Sequence, residues 1–486
     1  MLFNSLEFMI FFPIVVLIFL IIPKKLRSIW LLIASYYFYM SWNPRYTILI
    51  LFSTAVTYLS GILLNEYKTA GTRKLIVAGS LLLNLALLFI FKYANFALDT
   101  LRTLLNLFGI SFTDRRLDLL LPVGISFYTF QAMGYTIDVY RHKVKPEYNF
   151  LNYALFVSFF PQLVAGPIER TGSLLKQIQN IKELKLYNLN RIREGILLML
   201  WGLFQKLIIA DRASLIVNNI YDSYKTVGTF ELIIASLLFA FQIYCDFAGY
   251  TNIARGAAKV MGFSLIENFR QPYLAVSITD YWRRWHISMT SWFRDYLYIP
   301  LGGNRKGILR KYINILIVFF ISGLWHGASW HFVAWGLVNG IFQIIEDIIS
   351  RLNNKFFKIK YRDNLIMHCF KTGITFTMIN ITFVFFSSKN IHMALNILYR
   401  IFTVAPSFDL LSLGFDKADG IIMALSIIIL IIIDIIHEKG ISVTDFIVKR
   451  TILVRGIIYA GIIWSIILFG IYGTGYDTGQ FIYFQF

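Results

Sequence analysis

The chain has 486 residues, of which 57% are hydrophobic and only 15% are Asp, Glu, Lys or Arg, whereas a soluble domain carries about a quarter charged residues. Its formal net charge is +19. That excess lies in short loops between apolar runs, not on one polar face, which argues against a nucleic-acid binder and for contact with anionic membrane lipids.

From the N-terminus, apolar runs at residues 6–22, 46–64, 75–90, 195–210, 232–247, 372–386, 421–436 and 456–471 approach the ~20 residues that a helix needs to cross a bilayer. With the broken runs between them, they predict an all-α, polytopic integral membrane protein of about 11 transmembrane helices. Strict alternation of apolar and polar residues is missing, so a barrel is not expected. No Lys or Arg precedes the first run, and Lys24, Lys25 and Arg27 follow it. A cleavable signal peptide has the opposite order. The expectation is a retained helix with the N-terminus outside. Basic loops at 23–28, 65–74 and 141–145 then fall on the cytoplasmic side, and the less basic segments 42–45 and 99–118 fall outside, as the positive-inside bias requires.

Residues 169–185 and 187–194 are too polar to span and read as amphipathic helices at the cytoplasmic surface. Residues 255–311 form the longest region without a clear span and hold ten Lys or Arg against three acids, a net of +7. Chemistry is expected there. No linker-like composition and no repeat interrupts the chain, so a single integral membrane domain over 1–486 is the simplest organisation. The only cysteines, Cys245 and Cys369, give no disulfide framework or zinc spacing and read as small core residues.

Three motifs carry candidate chemistry. In the first, Ser277 and Asp280 have the spacing of a helix capping box, and Trp282, Trp285, Met289, Trp292 and Tyr296 follow at helical spacing on one stripe. One reading is an interfacial helix with its aromatics in the headgroup belt. The other, compatible with it, has Arg283, Arg284 and His286 facing the phosphates of an acyl carrier, because an Arg fork matches phosphate geometry. The second motif runs from Ile321 to Ser329 and holds Ser322, Trp325 and His326 between apolar runs. An ionisable group at membrane depth marks a site by default; a histidine bonded to a backbone carbonyl between packed helices is the equally weighted alternative. Gly323, Gly327 and Ala328 leave room for a ligand or a neighbouring helix. His331 lies ~140° away from His326 on an ideal helix, and no HExxH pattern occurs, so no metal is expected. In the third motif, Asp246 near the end of an apolar helix either pairs with an Arg, as an intramembrane ion pair or cap, or orients a histidine or substrate hydroxyl. No P-loop, GxSxG elbow or dinucleotide fingerprint is present.

The run YWRRWHISMTSWFRDYLYIPLGG at 281–303 and GLWHG at 323–327 closely resemble the signature of the membrane-bound O-acyltransferase family. LPVGISFYTFQAMGYTIDVYR at 121–141, FPQLVAGPIER at 160–170, QIYCDFAGYTNIARG at 242–256 and the tail FIYFQF at 481–486 resemble its branch that acetylates secreted polysaccharides such as alginate. The signature places the core of the domain at 120–345. The resemblance implies about 11 membrane segments with re-entrant or interfacial helices around a central tunnel, in a bacterial inner (plasma) membrane. It implies His326 as catalytic residue and His286 as a second site residue, with Asp246, Trp282, Arg283, Arg284, Trp285, Ser322 and Trp325 around the substrates. No bound cofactor is implied. Acetyl-CoA is the expected donor substrate, entering from the cytoplasm, and a cell-surface polysaccharide is the acceptor. Because the chain lacks a soluble hydrolase-like domain, an extracytoplasmic serine-hydrolase-like acetyltransferase is the implied partner. D-Alanyl transfer to teichoic acid is the alternative within the family. A proton-coupled transporter or flippase is the alternative outside it, for which no inverted repeat is found.

Overall fold

The structure is a computed structural model of the full chain and describes all residues except 112–115, 165, 358–363, 407–415, 473–480 and 483–486. The last of these excluded ranges takes in most of the FIYFQF tail. Helices account for all regular structure among the described residues. Eight are long and apolar enough to cross a membrane: 44–66, 70–107, 229–261, 308–326, 330–356, 365–387, 417–438 and 452–469. The N-terminal helix is apolar but shorter. The protein is thus a multi-pass membrane protein, with eight helices meeting both criteria where about 11 spans were expected.

The described residues cluster into two compact units, residues 1–196 with 254–266 and residues 197–253 with 267–486. The first contains α1 (Leu6–Ile21), α2 (Arg27–Met40), α3 (Thr47–Glu66), α4 (Ala70–Leu88), α5 (Ala94–Leu107), α6 (Ile125–Tyr140), α7 (Phe150–Ser158), α8 (Phe160–Leu163) and α9 (Thr171–Gln179). Ser5 starts α1 by accepting the Phe8 amide. Helix α4 continues through a π-helical turn, Phe89–Tyr93, into α5, so part of segment 99–118, read as a loop, is helical. The unit's core forms around α6, which is buried on nearly all sides. Two pairings there carry buried polar side chains, as a dry interior favours: Tyr153 donates to Thr57 (2.7 Å) and Gln131 to the Phe156 carbonyl (2.6 Å).

Helix α10 (Leu189–Phe204) begins in the first unit and ends in the second. Its first turns take in most of 187–194, so that stretch is the start of a longer helix and not a separate surface helix. A π-helical turn, Gln205–Ala210, leads into α11 (Asp211–Asp222). Helix α12 (Thr229–Met261) runs from the second unit into the first. The second unit adds α13 (Ile278–Arg284), α14 (Ile287–Phe293), α15 (Ile308–His326), α16 (Trp330–Leu352), α17 (Leu365–Ser387), α18 (Ile391–Thr403), α19 (Lys417–Glu438), α20 (Val443–Val448) and α21 (Ile452–Phe469). Helix α21 exposes Ile452, Leu453, Ile457, Trp464 and Leu468, a surface suited to lipid and not to water. Cys245 is a buried core residue as expected, whereas Cys369 is exposed.

Candidate active site

The site lies wholly in the second unit and begins with how α13 starts. The Ser277 side chain accepts the Asp280 amide (3.0 Å), and the Asp280 carboxylate accepts the Val276 amide (3.3 Å). Glu346 of α16 takes the Ile278 amide (2.6 Å). Together they satisfy orphan donors of a first turn. The helix then stops after two turns. Trp285 is extended, and His286 is left-handed at φ 44°, ψ 51°, before α14 begins. The expected continuous stripe is therefore two short helices. Its members also differ from a headgroup belt: the aromatics Trp282, Trp285 and Trp292, with Met289 between them, are buried. Trp285 stacks on Tyr281 (5.5 Å between centroids) and meets the edge of Phe269 (4.9 Å).

A left-handed conformation costs an L-residue ~1–2 kcal/mol, so surrounding contacts must hold His286 in it. Asn268 supplies them. Its carbonyl accepts the Ile287 amide (2.9 Å) and its side chain accepts the Ser288 amide (3.2 Å), while the Arg270 amide bonds to the Arg284 carbonyl (2.9 Å). His286 makes no side-chain cap for α14. Asn268, itself buried, caps the helix from another segment of the chain.

His286 is fully buried. Its ring faces Phe247 (4.7 Å), Trp325 (5.7 Å) and His326 (6.4 Å between centroids). Burial lowers its pKa to about 3, so the imidazole is neutral at physiological pH. His326 is the last residue of α15, which ends because Gly327 is extended. Its ring sits 4.8 Å from Trp335 and 5.4 Å from Phe386. The α15–α16 hairpin packs closely: a Cβ on Gly323 would strike the Phe332 carbonyl, and one on Gly336 the Phe319 carbonyl. Of the two uses expected for the small residues, Gly323 serves helix packing. Ser322, one turn before His326, and Trp325 are buried. His331 lies past the break, on α16, bonded to Ser329 (3.1 Å). No group of three His, Cys, Asp or Glu able to hold a metal occurs among the described residues.

Asp246 pairs with a lysine, not an arginine. Lys206 Nζ lies 2.6 Å from Asp246 and 2.7 Å from Asp211, and all three residues are buried. Asp246 also accepts the Ile482 amide (2.7 Å). Its link to the histidines runs through its neighbour Phe247. Arg284 is engaged on both sides, by Asp280 (3.0 Å) and by both oxygens of Glu438 (2.7 and 3.0 Å), so its fork holds carboxylates and is not open to a phosphate. Arg283 is exposed. Trp282 packs on Trp335 (5.8 Å) and Phe319 (5.2 Å).

The structure brings His286, His326, Trp325 and Trp282 into one aromatic cluster. Sequence motifs alone do not single out Asn268, Lys206, Trp335 or Phe386. Lys206 had a legible signal, a cation inside the apolar run 195–210. Asn268 had none, because its role depends on residues about 20 positions away in sequence.

A helical membrane protein with two neighbouring histidines buried among aromatic rings has the makings of an intramembrane enzyme, and the comparisons define which. Residues 140–388 match the profile of MBOAT, the membrane-bound O-acyltransferase family. The chain belongs to this family and is an O-acyltransferase. Among its relatives, the "Probable alginate O-acetylase AlgI" of Pseudomonas putida is 36% identical over 81% of this chain and 79% of its own length. The peptidoglycan O-acetyltransferase of Helicobacter pylori is 35% identical over 76% and 73%. The teichoic acid D-alanyltransferase of Bacillus subtilis is 27% identical over 56% and 69%.

Proposed function

We propose that the protein moves an acetyl group from a cytoplasmic thioester, acetyl-CoA, toward hydroxyls of an extracytoplasmic polysaccharide, with His326 as general base. The observation that carries this reading is the buried pair His286 and His326, 6.4 Å apart between ring centroids, inside the region that matches the family. An imidazole can both take and return a proton, which a general base in acyl transfer has to do. His286, kept neutral by burial, offers one N–H and one acceptor nitrogen to a substrate. Exposed Arg283 is the arginine of the pair left for donor phosphates. Asp246, with its ion pairs to Lys206, acts as a support for Phe247 and not as a ligand of substrate. Trp282, Trp285, Ser322 and Trp325 shape the walls around the two imidazoles.

Transfer to a polymer outside the membrane calls for an extracytoplasmic serine-hydrolase-like partner, and the proposed setting is a bacterial inner membrane. Acetyl is favoured over D-alanyl because the O-acetylating relatives are more similar and align over more of the chain than the D-alanyltransferases do. The test is alkali-released acetate from cell-envelope and secreted polysaccharide, compared between the native chain, His326→Ala and an empty strain at matched membrane levels. Acetate that falls to the empty-strain level in the variant supports the reading. Acetate equal in all three strains removes it and turns attention to D-alanine esters.

A further inference from the structure

Attack on a thioester places negative charge on the carbonyl oxygen, and a site that catalyses it needs a donor aimed at that oxygen. Two backbone amides beside His326 are already engaged. The Gly327 amide bonds to the Gly323 carbonyl (3.3 Å) and the Ser329 amide to the Gly327 carbonyl (2.9 Å). Arg284 is held by Asp280 and Glu438. One side-chain donor against His326 stands differently. Trp335 is 2% exposed, its ring lies 4.8 Å from the His326 ring in an edge-on arrangement (83°), and its Nε1 has no hydrogen-bond partner among the described residues.

An indole N–H only donates. Leaving such a group buried without an acceptor forfeits its hydration with nothing in return. Nothing in the packing requires the N–H: Phe386 and Phe319 contribute to the same aromatic cluster without one. A buried donor beside the proposed base is explained by an acceptor that arrives with the substrate.

We propose that the Trp335 indole N–H receives the carbonyl oxygen of the acyl donor and stabilises its negative charge in the transition state. This rests on the acyltransfer reading above. The acceptor hydroxyl gives its proton to His326 while its oxygen bonds to the thioester carbon, and the carbonyl π pair moves to the oxygen held by Trp335. Re-forming the C=O bond breaks the C–S bond. The departing thiolate takes the proton from the His326 imidazolium, which leaves ester, thiol and neutral histidine.

The test replaces Trp335 in the full-length protein with benzothienylalanine, which keeps the shape of the side chain and exchanges only the N–H for sulfur. The same replacement at exposed Trp464 controls for incorporation, and Trp335→Phe provides a second variant without the donor. Acetyl transfer from acetyl-CoA is measured at matched levels of folded protein. The expected result is a kcat lower by ~10²–10³-fold in both Trp335 variants, with little change in KM for acetyl-CoA and no loss at Trp464. A kcat within about twofold of native for the benzothienyl variant overturns the assignment while leaving the acyltransfer reading intact. A native protein that transfers no acetyl group overturns both.

Discussion

Two regions of the second unit bury ionisable side chains and handle them in opposite ways. At Lys206, Asp211 and Asp246, three charges answer one another within 2.7 Å, and a backbone amide takes a further carboxylate oxygen. At His286 and His326, the surroundings are the faces and edges of Phe247, Trp325, Trp335 and Phe386. Opposite charges held this close in a dry interior form a structural clamp, because removing one partner leaves an uncompensated buried charge. The two imidazoles are set among aromatic rings and, in the proposed reading, face the substrates. The contrast separates a structural clamp from the proposed reactive site more clearly than burial does, since both are buried.

The largest effect expected is at the reactive site. His326→Ala should lower turnover by ~10²–10⁴-fold without lowering the amount of folded protein, measured by size-exclusion profile after extraction. The clamp should show the reverse. Lys206→Met leaves two carboxylates buried beside each other and should cost ~3–5 kcal/mol, read as loss of the protein from the membrane fraction. Adding Asp211→Asn and Asp246→Asn should recover most of that level; no recovery would mean that Lys206 matters for something other than charge balance.

Asn268→Ala sharpens the comparison at an intermediate scale. Losing a cap costs ~1 kcal/mol, a modest change in thermal stability. If Asn268 holds the turn at His286, however, activity should fall by more than stability does, and Asn268→Asp, which keeps the accepting oxygen, should recover part of it. Equal losses of activity and stability in Asn268→Ala would reduce Asn268 to an ordinary cap.

The smallest effect concerns Glu169 in the first unit, outside the spanning helices. Burial raises its pKa to about 8, although it accepts the Ile266 amide. The folded state therefore keeps a proton that the unfolded chain releases above pH ~4.5, and the stability linked to it is lost as pH rises toward 8. Glu169→Gln should raise the melting temperature more at pH 8 than at pH 5; an equal shift at both would contradict the assignment.

How much of this was legible in the sequence follows the range of the interactions. The α13 start at Ser277 and Asp280 is local and was read from four residues. His326 stands out as an ionisable residue between apolar runs, which only the local sequence needs to show. The turn at His286 was not visible, because the flanking residues have helical spacing and the hydrogen bonds that break the helix come from Asn268. The aromatic stripe was placed at the headgroups for a related reason. A pattern shows which side chains share a face, and only the packing of Phe269 and Tyr281 against Trp285 shows that the face is interior. Arg284 reads as a phosphate ligand until Glu438, 154 positions later, is seen to hold it.

The most direct test of the central claim uses the purified protein and acetyl-CoA labelled in the acetyl group, with a polysaccharide acceptor and the proposed extracytoplasmic partner supplied. The account predicts labelled, alkali-labile ester with the native protein and none above background with His326→Ala. Label transfer that persists in the variant, or a native protein that ignores acetyl-CoA and accepts only a D-alanyl carrier protein, would contradict it.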